Sequence, residues 1–167
     1  MKLEELLQDF NKNRDNREQA LFTSIFIIQN RIQTSGEKLQ KEISMKQWLL
    51  LTMTSICPSP KTLSNVGRMM GCSRQNIKKL ALALEKKGFV KLVKGNNNSL
   101  YIELTNKVAE YSKEIGDKQY AALKILFKKF SDEEIKQFFN LVSKLYVGLE
   151  NMENYTGGKS YEKESTE

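Results

Sequence analysis

The sequence predicts a mainly α-helical protein that carries one small β-hairpin. Over most of the 167 residues, apolar side chains recur three or four positions apart, which is the spacing of an amphipathic helix. The predicted helices are separated by residues that begin or end helices, with serine or threonine before them and glycine or proline after them. The segment 90–104 instead alternates its side chains around a turn rich in glycine and asparagine, which indicates two short paired strands.

The composition fits one compact domain, or one domain with an extension, and argues against an enzyme. The chain is 40% hydrophobic and 28% charged, and it contains no histidine. The usual general base and the commonest transition-metal ligand are therefore missing, and no glycine-rich phosphate-binding motif is present. We expect no catalytic residue, no metal site and no cofactor.

The amino-terminal segment and the hydropathy predict a cytoplasmic protein. Met1 to Phe10 carries three acidic residues where a signal peptide needs an apolar core. The strongest apolar run, Ser24 to Ile28, is far shorter than the roughly 20 residues of a membrane helix. We therefore expect no membrane partner.

Residues 1–36 are predicted to form one long helix, or two helices in line, ending near Gly36. The apolar positions are helically spaced on both sides of a polar stretch at residues 11–16. They are Leu3, Leu6, Leu7, Phe10, Leu21, Ile25, Ile28 and Ile32.

Residues 44–105 show the signals of three helices followed by the hairpin. Each helix has a hydroxyl residue that can cap its amino terminus and a residue that stops it. The capping residues are Ser44, Thr62 and Ser73, and the residues that end the helices are Pro58, Gly71 and Gly88. A helix, a tight turn, a second helix and then a hairpin is the order of a winged helix-turn-helix domain, with the hairpin as the wing. Gly67 is the small residue expected where the two helices cross.

Residues 106–155 are predicted to form two helices, preceded by Thr105 as a cap, and residues 156–167 a disordered tail. Ser131 to Glu134 reads as a capping box that begins the last helix. These helices carry more apolar side chains than a single winged domain needs, so a second copy of the chain is expected to cover them. They include Phe127, Phe130, Phe138, Phe139, Leu145, Tyr146 and Leu149.

The excess positive charge lies in the centre of the chain. Residues 61–107 contain ten basic and two acidic residues, whereas the rest of the chain contains 17 basic and 18 acidic residues. The central segment therefore carries a charge of +8 between nearly neutral flanks. This distribution is typical of a protein that binds a polyanion.

Candidate DNA-binding residues lie on the outer face of the third central helix and in the wing. In a helix-turn-helix the start of the second helix enters the major groove, where Arg74 can fork onto guanine and Gln75 can pair with adenine. Ser73 can cap this helix while its amides meet a phosphate, and lysines suit phosphate contacts. The full set is Ser73, Arg74, Gln75, Asn76, Lys78 and Lys79 on the helix, with Lys94, Asn96 and Asn97 in the wing.

The stretch LSNVGRMMGCSRQNIKKLALALEKKGFVKLV, followed by the wing and Leu104-Thr105, resembles the multiple-antibiotic-resistance regulator (MarR) family. The resemblance extends over about Leu3 to Tyr155. It implies an obligate homodimer whose interlocked terminal helices present two winged domains to a pseudo-palindromic operator. The terminal segments 1–36 and 106–155 are then the dimerisation helices. The resemblance also implies a repressor that is often relieved by a small aromatic or anionic effector.

The wing departs from the family pattern. The family's wing carries an Asp-x-Arg or Asp-Arg-Arg pattern, whereas this wing reads KGNNNSLYIEL and has neither residue. Lys94 replaces the charge of the arginine but not its fork geometry. Sequence specificity is therefore expected to depend more heavily on Arg74 and Gln75.

The resemblance places an effector site between the dimerisation helices and the winged domain. Five residues are candidates for lining it, although such residues are more often core: Phe22, Phe26, Trp48, Met53 and Tyr111. Of the two cysteines, Cys72 falls at a packing position and Cys57 follows a helix, and neither matches the placement of the family's peroxide-sensing cysteine.

The sequence thus predicts a sequence-specific regulator that binds double-stranded DNA. Two alternatives remain open at this stage. The unusual wing is compatible with an architectural protein that binds DNA without sequence preference. The winged domain is also compatible with a protein-interaction module whose lysines are only solvated.

Overall fold

The computed structural model describes residues 7–95 and 99–156, and in these ranges it has six helices and a two-stranded antiparallel sheet, besides the helical residues 7–9. The prediction of a mainly α-helical chain with one hairpin is therefore confirmed. The helices are α1 (Arg14–Glu37), α2 (Met45–Ile56), α3 (Leu63–Met69), α4 (Arg74–Lys86), α5 (Asn106–Leu126) and α6 (Asp132–Thr156), and the strands are β1 (Val90–Lys94) and β2 (Leu100–Leu104).

The amino-terminal segment contains two helical stretches rather than one continuous helix. Residues 7–9 are helical, a turn follows, and α1 then begins after Asn13. The Asn13 side chain accepts a hydrogen bond from the amide of Asn16 (2.9 Å), which starts the new helix. The helix ends at Glu37, as predicted, where Gly36 is buried with the Met45 side chain close against it. Leu3 and Leu6 lie outside the described residues.

The predicted helix ends of the central segment are confirmed. Ser44 and Gln47 form a reciprocal capping box, in which the Gln47 amide donates to Ser44 Oγ (3.2 Å) and the Ser44 amide donates to Gln47 Oε1 (3.0 Å). Thr62 caps α3 through a single hydrogen bond, in which its hydroxyl oxygen accepts from the amide of Asn65 (3.1 Å). Gly71 and Gly88 adopt φ values of +60° and +78°, a conformation that residues with a side chain rarely adopt.

We predict that Ser44→Ala lowers the free energy of unfolding by about 1 kcal/mol, because α2 loses the acceptor for one of its first amides. Denaturant unfolding followed by circular dichroism measures this loss. Ser112→Ala, in the middle of α5 and exposed, is the matched control and should leave the midpoint nearly unchanged. Equal midpoints for the two variants would show that the cap adds nothing.

One hydrophobic core holds the winged domain together. Helices α2, α3, α4 and α5 and both strands contribute to it, and its largest members are less than 2% exposed. Those members include Leu50, Leu63, Val66, Ile77, Leu84, Phe89, Val90, Ile102 and Ile115. The four helices and the hairpin thus share a single hydrophobic core.

The hairpin pairs Val90 with Leu104 and Lys94 with Leu100. The segment before α3 adds a short third edge to this sheet, since the Ile102 amide donates to the Lys61 carbonyl (2.9 Å) and Thr62 forms a bridge with Tyr101. Thr105 precedes α5 as predicted, but its hydroxyl donates to the carbonyl of Gly88 (2.7 Å). Thr105 therefore ties the start of α5 to the turn after α4.

The described residues separate into two compact units, with the boundary after Tyr120. In the second unit the predicted capping box is present, because the Ser131 amide donates to Glu134 Oε2 (2.8 Å) and the Glu134 amide donates back to Ser131 Oγ (3.3 Å). The hydrogen bonds from Ser131 hold the pKa of Glu134 below its ordinary value. Of the predicted tail, residues 157–167 lie outside the described residues, and α6 ends at Thr156.

Candidate nucleic-acid interface

The crossing of α3 and α4 depends on Gly67, as its position in the sequence predicts. A Cβ atom at this position would lie 2.8 Å from the backbone oxygen of Cys72 and 3.2 Å from Ile77 Cγ1. The Cys72 amide donates to the Gly67 carbonyl (2.8 Å), which closes the turn between the helices. The absence of a side chain at Gly67 therefore lets α4 lie directly against α3.

Helix α4 has one buried face and one charged face. Ile77, Ala81 and Leu84 are fully buried, and they fix the rotation of the helix about its axis. The predicted residues Ser73, Arg74, Gln75, Asn76, Lys78 and Lys79 are all exposed. Ser73 Oγ accepts a hydrogen bond from the Asn76 amide (3.2 Å) and thereby caps the helix. The structure thus places these six residues together at the start and along the exposed face of one helix.

The wing carries a contact that sequence reasoning missed. The ring of Tyr101 lies against Gly95 so closely that a Cβ atom there would be 1.8 Å from Tyr101 Cε2. The glycine lies two residues beyond Val93, the strand partner of Tyr101, and the sequence pattern at this position indicates only a turn. Lys94 is exposed at the end of β1, next to this contact. The other two predicted wing residues, Asn96 and Asn97, lie outside the described residues.

Most of the positive charge in residues 61–107 is exposed. Two of the ten basic residues form hydrogen bonds within the protein. The ammonium groups of Lys87 and Lys107 both donate to Glu42, in the segment before α2. Glu85, one of the two acidic residues, accepts a hydrogen bond from the Leu92 amide (2.7 Å) and so binds the first strand of the wing. The exposed basic residues of the segment are Arg68, Arg74, Lys78, Lys79, Lys86, Lys87, Lys91 and Lys94.

The five candidate effector residues fall into two environments. Phe22 and Phe26 are both 55% exposed on α1 and pack edge to face, with ring centroids 5.1 Å apart. Trp48 and Met53 are partly buried against the core. Tyr111 is buried in the core, where its ring meets Phe89 edge to face with centroids 5.3 Å apart.

The hydroxyl of Tyr111 is already bound within the protein. It donates to Gln40 Oε1 (2.9 Å) and accepts from the Lys41 amide (3.1 Å). An open depression of about 500 Å³ lies beside the wing, and none of the five candidates lines it. It is lined by Gly88, Lys91, Glu103, Leu104, Thr105, Asn106 and Lys107.

Apolar side chains are exposed along both ends of the chain. Their positions on α6 repeat at helical spacing and form a broad stripe, although no residue of that helix is buried. On α1 the exposed apolar residues are Leu21, Phe22, Ile25, Phe26, Ile28 and Ile32, and on α6 they include Ile135, Phe138, Phe139, Leu141, Leu145, Tyr146, Leu149 and Met152. An apolar surface of this extent is typical of an interface with another protein chain.

Within residues 7–95 and 99–156, no group of three or more acidic or cysteine side chains is arranged to hold a metal ion. Cys57 is buried and Cys72 is partly buried, and both are free thiols. No helix in the described part of the chain is long and apolar enough to span a membrane.

No family model matches the sequence, and no curated protein is a significant match. Solved structures do share its fold. A MarR/EmrR family transcriptional regulator from Acinetobacter sp. ADP1 aligns with a TM-score of 0.70 and 18% identity, over 80% of this chain and 97% of that one. MepR from S. aureus, solved as a DNA complex, aligns with a TM-score of 0.64 and 16% identity, over 82% and 99% of the two chains.

A third structure, the PcaV transcriptional regulator from Streptomyces coelicolor in complex with its natural ligand, aligns with a TM-score of 0.58. Its identity is 17%, and the alignment covers 71% of this chain and 89% of that one. The chain therefore has the fold of MarR-family transcriptional regulators, and the resemblance recognised in the sequence is confirmed at the level of fold.

Proposed function

We propose that a protein with this fold and this charged helix is a sequence-specific regulator that binds double-stranded DNA. The observation that carries the proposal is the exposed face of α4. It presents an arginine, a glutamine and two lysines from a helix whose other face is fully buried in a winged domain. Helix α4 is then the recognition helix, and the fold of MepR, which was solved bound to DNA, supports this assignment.

The residues of this face suit two kinds of DNA contact, hydrogen bonds to the bases and contacts with the phosphate backbone. Arg74 and Gln75 occupy the first turn of the recognition helix, the part that enters a major groove, and both can form two hydrogen bonds to one base. Lys78 and Lys79 follow in the next turn, and their single ammonium groups suit phosphate oxygens. The amides at the start of the helix add a partial positive charge for a phosphate.

We further propose that the protein works as a homodimer. The exposed apolar residues of α1 and α6 would be covered by the same surfaces of a second copy, as two-fold symmetry requires. Segments 1–36 and 106–155 then serve as the dimerisation helices around the DNA-binding domain, residues 44–105. Two recognition helices would meet two half-sites of a pseudo-palindromic operator about one helical turn apart.

Repression follows most simply from this geometry, because a dimer seated on two successive grooves blocks a promoter. The ligand complex of PcaV supports an effector for this fold. In this chain Phe22, Phe26, Trp48 and Met53 are the candidates for contacting a small aromatic or anionic molecule, whereas Tyr111 is held in the core. A regulator of this kind acts on the chromosome, which places it in the cytoplasm.

A selection from a random duplex library tests the proposed function. Enrichment of a pseudo-palindrome by the purified protein would support a dimeric, sequence-specific regulator. Salt-dependent binding without enrichment would replace it with an architectural DNA-binding protein. The absence of duplex binding near physiological salt, with a protein partner instead, would make the winged domain an interaction module.

We predict that Lys79→Ala weakens binding to all duplexes alike and lowers the slope of log K against log salt by about one, because one phosphate contact is lost. Fluorescence anisotropy at several salt concentrations measures the slope. Lys136→Ala, which removes an exposed lysine of α6, is the matched control and should leave the slope unchanged. A Lys79→Ala variant with the wild-type slope would remove this residue from the interface.

A further inference from the structure

Glu42 connects two elements of the winged domain that are distant in sequence. Its carboxylate Oε2 accepts a hydrogen bond from Lys107 Nζ (2.6 Å), and its backbone carbonyl accepts one from Lys87 Nζ. Lys87 is the capping residue directly after the last residue of α4, and Lys107 lies in the first turn of α5. One residue between α1 and α2 therefore holds the end of one helix and the start of another.

Lys87 and Lys107 each make a further contact with a neighbouring helix end. Lys107 Nζ donates to the carbonyl of Lys87 (3.1 Å) and lies 4.5 Å above the ring of Phe89, a favourable position for a cation. Lys87 Nζ lies 3.4 Å from Gln47 Oε1, in the capping box of α2. The ends of three helices thus converge on these side chains, which we call the Glu42 junction: Glu42, Gln47, Lys87 and Lys107.

The neighbouring residues of the same segment are bound to α5 as well. Tyr111 holds Gln40 and the amide of Lys41, and Lys41 Nζ forms a salt bridge with Glu114. The hydrogen bond to Glu114 raises the pKa of Lys41 above its ordinary value. Residues 107, 111 and 114 lie four and three positions apart, which is one face of α5. The segment is therefore fixed along two turns of that helix.

We propose that Glu42 is a positioning residue that sets the angle between the recognition helix and α5, and with it the half-site spacing that the dimer accepts. This inference rests on the proposed function. In the proposed dimer, α5 belongs to the dimerisation helices. A variable angle between α5 and α4 therefore makes the distance between the two recognition helices variable as well. Lys87 and Lys107 act in this junction and not as phosphate contacts, although they belong to the basic segment.

The test uses Glu42→Met in the full-length dimer, with Glu110→Met as the control. Both variants remove one negative charge from an exposed glutamate, so simple electrostatics predicts that both bind DNA slightly more tightly. The proposal predicts the opposite for Glu42→Met alone. We expect at least about three-fold weaker binding to the selected operator, with an unchanged salt slope.

Spacing selectivity gives the specific readout. Duplexes with the spacing changed by one or two base pairs should be discriminated less by Glu42→Met than by the wild type, and Glu42→Gln, which keeps an acceptor, should fall between them. Glu42→Met with wild-type affinity and spacing preference would overturn the proposal while leaving the DNA-binding function intact.

Amide hydrogen exchange gives a second readout that needs no DNA. Glu42→Met, but not Glu110→Met, should exchange faster at residues 87–90 and in the first turn of α5. Unchanged exchange would show that the Glu42 carboxylate does not hold these elements, which would overturn the proposal. If the wild type binds no preferred duplex, the proposed function fails first, and the exchange result then reports only on the junction.

Discussion

Replacing Phe89 by alanine is expected to lower the free energy of unfolding by about 3–5 kcal/mol. Phe89 is fully buried directly after Gly88, the glycine that follows α4, and it meets Tyr111 edge to face. Its ring also lies under the ammonium group of Lys107. The substitution therefore leaves a cavity between α4, the hairpin and α5, and it removes both aromatic interactions.

Guanidinium unfolding followed by circular dichroism measures this effect. Protein concentration must be held fixed, because the stability of the proposed dimer would depend on it. Phe89→Leu is the graded control, since it keeps most of the apolar volume and should cost clearly less. A Phe89→Ala midpoint close to that of Phe89→Leu would mean that the site collapses around the missing ring and that the aromatic contacts add little.

Arg74→Ala is expected to weaken binding to the preferred operator by about 1–3 kcal/mol and to relax the preference for one base pair in each half-site. Arg74 is the first residue of α4, the proposed recognition helix, and is exposed. Removal of the Arg74 guanidinium removes two hydrogen bonds to one base. The loss of affinity should therefore be large for the preferred duplex and small for a duplex with that base pair changed. Competition between these two duplexes measures the discrimination directly.

Arg68→Ala is the matched control for this experiment. It removes the same charge from the last turn of α3, where the side chain is exposed. We expect it to weaken both duplexes by the same factor, as the loss of a backbone contact does. An Arg74→Ala protein that keeps wild-type discrimination would shift base reading to Gln75 or to another element.

The local signals in the sequence predicted the ends of the central helices well. Ser44, Thr62 and Ser73 each cap a helix, and Gly71 and Gly88 have positive φ. These features depend on a few consecutive residues, so they can be recognised without knowledge of the rest of the chain. Thr105 shows the limit of such reasoning, because its hydroxyl binds a carbonyl 17 residues away.

In the candidate interface, too, some features were predictable from the sequence and others were not. The exposed face of α4 was predictable, since the spacing of Ile77, Ala81 and Leu84 fixes which residues point outward. The hydrogen-bond partners of individual lysines were not predictable from the sequence. Lys87 and Lys107 counted toward the positive segment, but the fold brings Glu42 to them from 45 and 65 residues away.

The sequence by itself determined the order of elements, the buried and exposed faces of α4 and the concentration of positive charge. All three follow from local periodicity and composition. Only the tertiary structure decided how Tyr101 packs on Gly95, how Glu42 joins α4 to α5, and that Tyr111 belongs to the core. Glu42 and Tyr111 contact residues that are distant in sequence, and the contact of Tyr101 with Gly95 depends on the register of the hairpin. The angle at which elements pack is set by the whole core rather than by any one segment.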